Sequence, residues 1–376
     1  MKILALSPDS IEAGSGIASA VLFQSGMMKR MGLEIEVVSR KNDVTHHSIR
    51  KKPGILGTIP YWHRSVKRAS RRTREFDLIW LHSPLLLDLE HLKDWSKIVI
   101  SFHSTYLGQY LALKNHRLIK TLPYYWLVTK LEGRFLKSLS KLGNIADIAY
   151  VAVSSNVRNE LRSNGLDAGI QVIPNGLVRA DLPAKHEARE RIRKKHLVDV
   201  TDQKTVLLFV GRLTEVKQPL LLINLVKKIL DRDDSIILML CGSGNLRNEL
   251  QSSIDCSNIH ILGKIPRSFI WNFYCAADSY ISLSCYEGNP VSVLEAASAG
   301  LPLVLSDIPA HRWLLESSLG KGILISSKNP SPNEVMRFLD KIRKGHRWIS
   351  YEERHSWRRN CEQYVEVMER LTHLTS

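Results

Sequence analysis

Glu287 and Glu295 lie eight positions apart in the run Tyr286-Glu287-Gly288-Asn289-Pro290-Val291-Ser292-Val293-Leu294-Glu295. The apolar residues 280–284 just ahead read as a short strand, and Ala296, Ala297 and Ala299 read as the body of a helix that Gly300 ends. Pro290 suits the first helical turn, where its missing N–H would have no partner anyway. The amides of Asn289, Val291 and Ser292 then point out of a helix start, which carries about half a positive charge and takes phosphate readily. Glu295, a turn further in, can accept hydrogen bonds from sugar hydroxyls. Residue types and spacing together describe a site for a phosphorylated sugar. Two Glu on a surface helix are more often merely solvated, so the segment needs support from elsewhere in the chain.

That support comes from the elements around it. Short apolar runs at 2–7, 34–38, 78–81, 98–102 and 148–154 alternate with helical patterns, notably 17–31 closed by Gly32 and 118–139. A second series has strands at 206–210, 236–241, 260–262, 280–284, 303–305 and 323–326, with helices at 220–230 and 269–276. Strands alternating with helices predict an α/β chain with two Rossmann-like, doubly wound parallel sheets. We expect an N-terminal domain over 1–182 and a C-terminal domain over 183–350. A charged stretch at 183–204 serves as linker and flanking helix, and a last helix from 351 onward, with Trp357 and Tyr364, packs back on the N-terminal domain. In open parallel sheets ligands bind beyond the carboxyl ends of the strands. Arg212 and Lys217 follow strand 206–210, Gly242 and Gly244 follow strand 236–241, and Gly263-Lys264-Ile265 follows strand 260–262. Arg212 could grip a phosphate bidentately with Lys217 as a point charge, and the glycines would let a ligand approach the backbone closely.

Arg212 with Lys217 five residues on, the Gly242-x-Gly244 turn, Val172-Ile173-Pro174-Asn175-Gly176 and the Glu-x7-Glu segment resemble, in order and spacing, the retaining nucleotide-sugar glycosyltransferases of GT-B fold, family 4 group. The likeness covers essentially the whole chain and implies two Rossmann-like domains facing across a cleft. It also implies roles. Arg212 and Lys217 would bind the donor diphosphate and offset its charge as it leaves, Glu295 would hold the ribose, and Glu287 would face the transferred sugar. The backbone of Gly288, Asn289, Pro290, Val291 and Ser292 would contact sugar and phosphates, and the main chain of Ile265 would meet the base. Gly14 and Gly16 fall where the family has a glycine-rich turn near the diphosphate. His103 resembles a histidine facing the reacting sugar, with His82 as a rival at a neighbouring strand end. One departure is visible: Gln218 stands where the family usually has Gly, which we expect to affect the local turn more than phosphate binding.

The family implies a UDP-, GDP- or ADP-sugar donor, a glycan or lipid-linked acceptor, and no cofactor. We expect no metal, because the sole Asp-x-Asp, Asp231-Arg232-Asp233, precedes its strand and so lies at the edge away from the site. The net charge of +16 is concentrated in residues 1–180, with 26 Lys/Arg against 14 Asp/Glu. Residues 40–74 hold eleven cations and one acid around Tyr61-Trp62, a mixture suited to an anionic membrane surface. With no apolar run near the ~20 residues of a bilayer span and no signal-peptide pattern at the start, the sequence reads as a cytoplasmic protein attached peripherally to the inner membrane face. No nucleic-acid motif accompanies the charge, so no nucleic acid is expected as partner. The five cysteines form no C-x-x-C pair and suggest neither disulfides nor a zinc site. Two alternatives remain. A Rossmann oxidoreductase would use Gly14-x-Gly16 and Glu36, although Ser19 replaces the third glycine. A catalytically silent binder of sugar nucleotide or nucleic acid would keep the fold without turnover.

Overall fold

The computed structural model describes residues 1–8, 16–39, 55–86, 89–142, 147–177, 182–196, 198–317, 319–343 and 355–373. The chain divides into two compact units, Met1–Gly176 with Trp357–Ser376, and Leu177–Ser356. The first divide therefore falls six residues earlier than expected and the second six residues later.

The first unit runs β1 (Lys2–Ser7), α1 (Gly16–Arg30), β2 (Glu34–Ser39), α2 (Ile55–Ala69), β3 (Leu78–His82), β4 (Lys97–Phe102), α3 (Tyr106–Asn115), α4 (Leu122–Leu142), β5 (Asp147–Ala152), α5 (Ser155–Ser163) and β6 (Ile170–Val172). Its strands form one parallel sheet in the order β2-β1-β3-β4-β5-β6. One face is packed by α2, α4 and α5 through Tyr61, Trp62, Val66, Phe135, Leu136, Val157 and Leu161. The charged excursion thus contains a helix whose Tyr61 and Trp62 are fully buried, with the Tyr61 hydroxyl donating to the Ser7 carbonyl at 2.6 Å. These two rings anchor the core and are not available to a membrane, contrary to the expectation for residues 40–74. Residues 40–54, including Arg40, Lys41 and Arg50-Lys51-Lys52, lie outside the described residues. Among the described residues no helix is long and apolar enough to cross a bilayer.

The second unit runs α6 (Lys185–His196), β7 (Thr205–Val210), α7 (Pro219–Leu230), β8 (Ile236–Cys241), α8 (Arg247–Ser252), β9 (Ile259–Gly263), α9 (Arg267–Ala276), β10 (Ser279–Ser282), α10 (Val291–Ser298), β11 (Leu303–Ser306), α11 (Pro309–Glu316), β12 (Gly322–Ile325) and α12 (Pro332–Arg343). Its parallel order is β12-β11-β10-β7-β8-β9, so the strand order reverses between β7 and β10. The stretch read as linker and flanking helix contains α6, which seats Ala188 and Ile192 in this unit's core. Its buried Arg189 donates to the carbonyls of Ala276 and Thr201 at 3.1 and 2.6 Å and pairs with Asp278 at 2.8 Å. The expected flanking helix is thus part of the core, pinned by a buried arginine.

The last helix, α13 (Trp357–His373), returns to the first unit. Cys361, Tyr364, Val367 and Met368 close the second face of that sheet over Ile3, Ala5, Trp80 and Val99. Parallel strands covered on both faces read as continuous apolar runs, which is why Ile236–Cys241 is buried at every position.

Candidate functional site

In the second unit the site residues gather at the carboxyl edge, around the crevice between β7 and β10 where the strand order reverses. Arg212 follows β7 directly. Its side chain is exposed and has no hydrogen-bond or ion-pair partner among the described residues. Lys217 closes the short 3-10 turn Glu215–Lys217 and makes an ion pair with Glu287, which follows β10. The loops after β7 and β10 are tied again by the Cys285 amide, which donates to the Val216 carbonyl at 2.9 Å. Burial would push the Glu287 carboxyl up, but Lys217, His311 and Ser284 together hold it below its ordinary value, so it stands ionised near neutrality.

Gln218 explains its own departure from the family. It adopts the left-handed conformation, φ 47° and ψ 47°, which a glycine tolerates more easily. Its buried amide nitrogen, assigned toward two carbonyls, donates to Leu283 at 2.6 Å and to Ser327 at 3.1 Å. Those bonds offset the backbone strain and fix the residue next to Lys217.

The segment after β10 forms the expected helix, with Pro290 at the cap rather than in the first turn. Val293 and Leu294 donate back to the Pro290 carbonyl at 3.2 and 3.1 Å, leaving the Val291 and Ser292 amides at the open end. Gly300, at φ 73°, and Leu301 donate to Ala297 and Ala296 and close the helix in a Schellman arrangement. Gly288, Asn289 and Pro290 are buried, and the Ser292 hydroxyl accepts from Tyr280, whose own hydroxyl also reaches the Val210 carbonyl at the end of β7.

Glu295 is 3% exposed and is gripped from α9: Tyr274 donates to Oε2 at 2.8 Å, and Arg267 lies 2.5 Å from Oε1. Burial pushes this carboxyl above its ordinary value, against the pull of Arg267 and Tyr274. The two glutamates are thereby shifted in opposite directions. Half-buried Ile265 sits two residues before Arg267, in the loop between β9 and α9.

Gly242 and Gly244 serve packing within the unit. A Cβ on Gly242 would stand 1.8 Å from the Gly211 carbonyl oxygen, and one on Gly244 would stand 2.1 Å from that of Leu213. Their lack of side chains lets the loop after β8 press against the loop bearing Arg212, where Leu213 donates to Ser243 at 3.0 Å. What approaches these glycines closely is backbone of the same unit.

Sequence reasoning missed Arg267, Tyr274 and His311. His311 is fully buried, with Nδ1 2.9 Å from the Ser306 carbonyl, and its charge coupling reaches Glu287. It follows β11, so the strand-end rule applied to that strand would have found it. Arg267 and Tyr274 left no local signal, because they meet Glu295 only through the fold.

In the first unit Gly16 opens α1 with open space around it, and Gly14 lies outside the described residues. Glu36 sits inside β2 and is bound by Arg72 through two contacts of 2.6 and 3.0 Å, away from the strand end that an oxidoreductase would need. His82 and His103 are partners, with Nδ1 of His82 3.1 Å from Nε2 of His103. His103 is 8% exposed and His82 not at all, so only His103 reaches the surface. The Nε2 of His82 is buried without a partner among the described residues. A buried N–H with no acceptor is the costlier orphan, so the His82 proton belongs on Nδ1, donated to His103. His103 then carries its own proton on Nδ1 and presents a donor. Burial pushes the His103 imidazole down to about 4 and His82 well below its ordinary value, with His103 adding to the latter.

Depressed values make both rings neutral in the fold, so their contribution is fully present above pH 6.5 and is lost as pH falls through the folded values. For His103 the span from 6.5 to about 4 amounts to about 3 kcal/mol. Amide-exchange protection in β3 and β4 should fall over that window, and His103→Gln should flatten the fall. A pH-independent protection would contradict the pairing.

Comparison with known proteins now bears on the whole chain. Residues 188–363 match the family of Glycosyl transferases group 1, and residues 14–179 match Glycosyltransferase Family 4. An uncharacterized glycosyltransferase of Methanocaldococcus jannaschii is 27% identical over 75% of this chain and 66% of its own length. The UDP-Gal:alpha-D-GlcNAc-diphosphoundecaprenol alpha-1,3-galactosyltransferase of Escherichia coli is 31% identical over 46% of this chain and 44% of its own length. The matches thus span between under half and about two thirds of these relatives. The crystal structure of Anabaena HepE in complex with UDP and glucose superposes with a TM-score of 0.65 at 17% identity, covering 98% of this chain and 99% of that one. With both halves matched by glycosyltransferase families and the two-sheet fold shared end to end, the protein belongs to the GT-B glycosyltransferases.

Proposed function

We propose that the protein moves a hexosyl group from a nucleoside-diphosphate donor to a glycan or lipid-linked acceptor, with retention at the anomeric carbon and without a metal ion. The work is done at the cytoplasmic face of a membrane, in polysaccharide, glycolipid or glycoconjugate biosynthesis. The observation that carries this reading is Arg212: an exposed guanidinium without a partner among the described residues, in the loop after β7 that also bears Lys217, at the reversal of strand order. A solvated guanidinium at that edge is available to grip a diphosphate bidentately.

The leaving group is good once its charge is held, so positioning and electrostatics supply most of the acceleration. Arg212, Lys217 and the helix start offset the charge that a divalent cation would otherwise carry. Glu287, ionised and linked to Lys217, faces the sugar, and Glu295, held from α9, takes the ribose. In the first unit His103, with its own proton on Nδ1, is the candidate hydrogen-bond donor. UDP in HepE and the UDP-galactose and lipid diphosphate named for the Escherichia coli relative favour such a donor and acceptor.

Retention is tested on the product. Nuclear magnetic resonance of the new anomeric proton should show the configuration of the donor sugar, at a rate unaffected by chelator. An inverted product would refute the retaining reading.

A further inference from the structure

Among the described residues, five of the seven large apolar side chains left exposed collect at one place in the first unit, the other two being Leu22 in α1 and Met31 just after it. Leu111 at 50%, Ile119 at 73%, Trp126 at 50% and Leu127 at 48% exposure lie in the second half of α3, the turn, and the start of α4, with Tyr124 also in the first turn of α4. Pro123, Trp126, Leu127 and Lys130 are three and four apart on α4 and share one face of it. Lys114, Arg117, Lys120 and Lys130 are exposed among them, and the Lys130 ammonium stands 5.9 Å from the centre of the Trp126 ring. From residue 95 to residue 131 the chain has five Lys/Arg and no Asp or Glu.

The hairpin's position follows from its own bonds. α4 leads into β5, which is parallel to β4, so α4 runs from the carboxyl edge of the sheet to the amino edge. Glu132 of α4 accepts from the amides of Tyr106 and Leu107 at 2.9 and 3.0 Å, where α3 begins just past β4. Glu132 therefore marks the level of the carboxyl edge, and the ten residues of α4 ahead of it, about 15 Å of helix, project beyond that edge. None of the residues from 122 to 127 is buried, and burial begins at Val128. The α3–α4 hairpin is a finger standing out from the edge that bears His103, tipped with Trp, Tyr, Leu, Ile and Lys.

We propose that this finger rests on the surface of an anionic phospholipid bilayer. Monomers rarely leave such an apolar group in water without use, and Trp or Tyr interleaved with Lys is the composition of a bilayer interface. The one-sided charge complements anionic headgroups, each cation adding attraction that salt weakens. This surface replaces the buried Tyr61 and Trp62 as the apolar anchor. It rests on the reading of a lipid-linked acceptor, since contact at the His103 edge would bring that edge to the membrane.

The test is flotation of the full chain with vesicles of phosphatidylcholine alone and with phosphatidylglycerol added. The protein should float only with the anionic vesicles and be released by salt. Trp126→Ala with Leu127→Ala, and separately Lys114→Glu with Lys120→Glu, should each lower binding about tenfold or more, with thermal unfolding unchanged. Wild-type protein that ignores anionic vesicles, or folded variants that float like wild type, would overturn the proposal. So would a dimer in ultracentrifugation that the tip substitutions dissociate while vesicles are ignored, since the face would then join two copies. Titration with nucleoside diphosphates in solution is independent of lipid, so docking can fail while the donor site stands.

Discussion

Arg212→Met lowers turnover of the sugar nucleotide by about 10²–10³-fold while the melting temperature stays where it was. The two halves of this result come from one feature. The guanidinium is exposed and makes no bond among the described residues, so removing it takes nothing from their packing. Its loss is felt only when negative charge builds on the departing diphosphate, a moment at which one preorganised donor is worth several kcal/mol. Lys217 behaves differently, because Lys217→Met also strips Glu287 of its partner in a nearly buried setting, and stability falls along with activity. Steady-state kinetics with thermal unfolding separates the two. If Arg212→Met kept full turnover, the cation would have no part in the reaction.

Gly242→Ala destabilises the second unit by on the order of 4 kcal/mol and carries activity down with it. The residue has φ 154°, and an added methyl would stand 1.8 Å from the Gly211 carbonyl oxygen. Neither partner can yield. Gly242 donates to Gly263 at 2.7 Å and Gly211 to Cys241 at 3.0 Å, so both are fixed to neighbouring strands. Relief comes only by moving the loop that carries Arg212. Gly16→Ala is the control, since a methyl there meets nothing within 4 Å and stability should not change. Urea unfolding of the three proteins reads the effect, and a Gly242→Ala variant as stable as Gly16→Ala would contradict the packing of these loops.

The strands were legible because a parallel strand buried on both faces has to be apolar throughout, as 236–241 is, and their carboxyl ends then singled out Arg212 and Lys217, while spacing singled out Glu287. What misled was charge. α2 and α6 bury narrow stripes, Tyr61-Trp62-Val66 and Ala188-Ile192, and the many cations on their other faces concealed the helical period of α2 and the core role of α6. Arg189 added to this, being a cation that lies inside. Glu295 was visible from spacing, but its partners Arg267 and Tyr274 sit 28 and 21 positions away and are joined to it only when α9 packs beside α10. Gln218 taught the reverse lesson: an unfamiliar residue in a known motif kept the glycine's conformation by hydrogen-bonding its side chain to two carbonyls.

Equilibrium titration of the wild type and of Arg212→Met with UDP, GDP and ADP tests the diphosphate site most directly. The structure leads us to expect that one nucleotide binds the wild type and binds Arg212→Met at least about tenfold more weakly, as befits a lost charge-assisted pair. Equal binding to both proteins, or no binding of any of the three to the wild type, would contradict a donor site at the β7–β10 crevice.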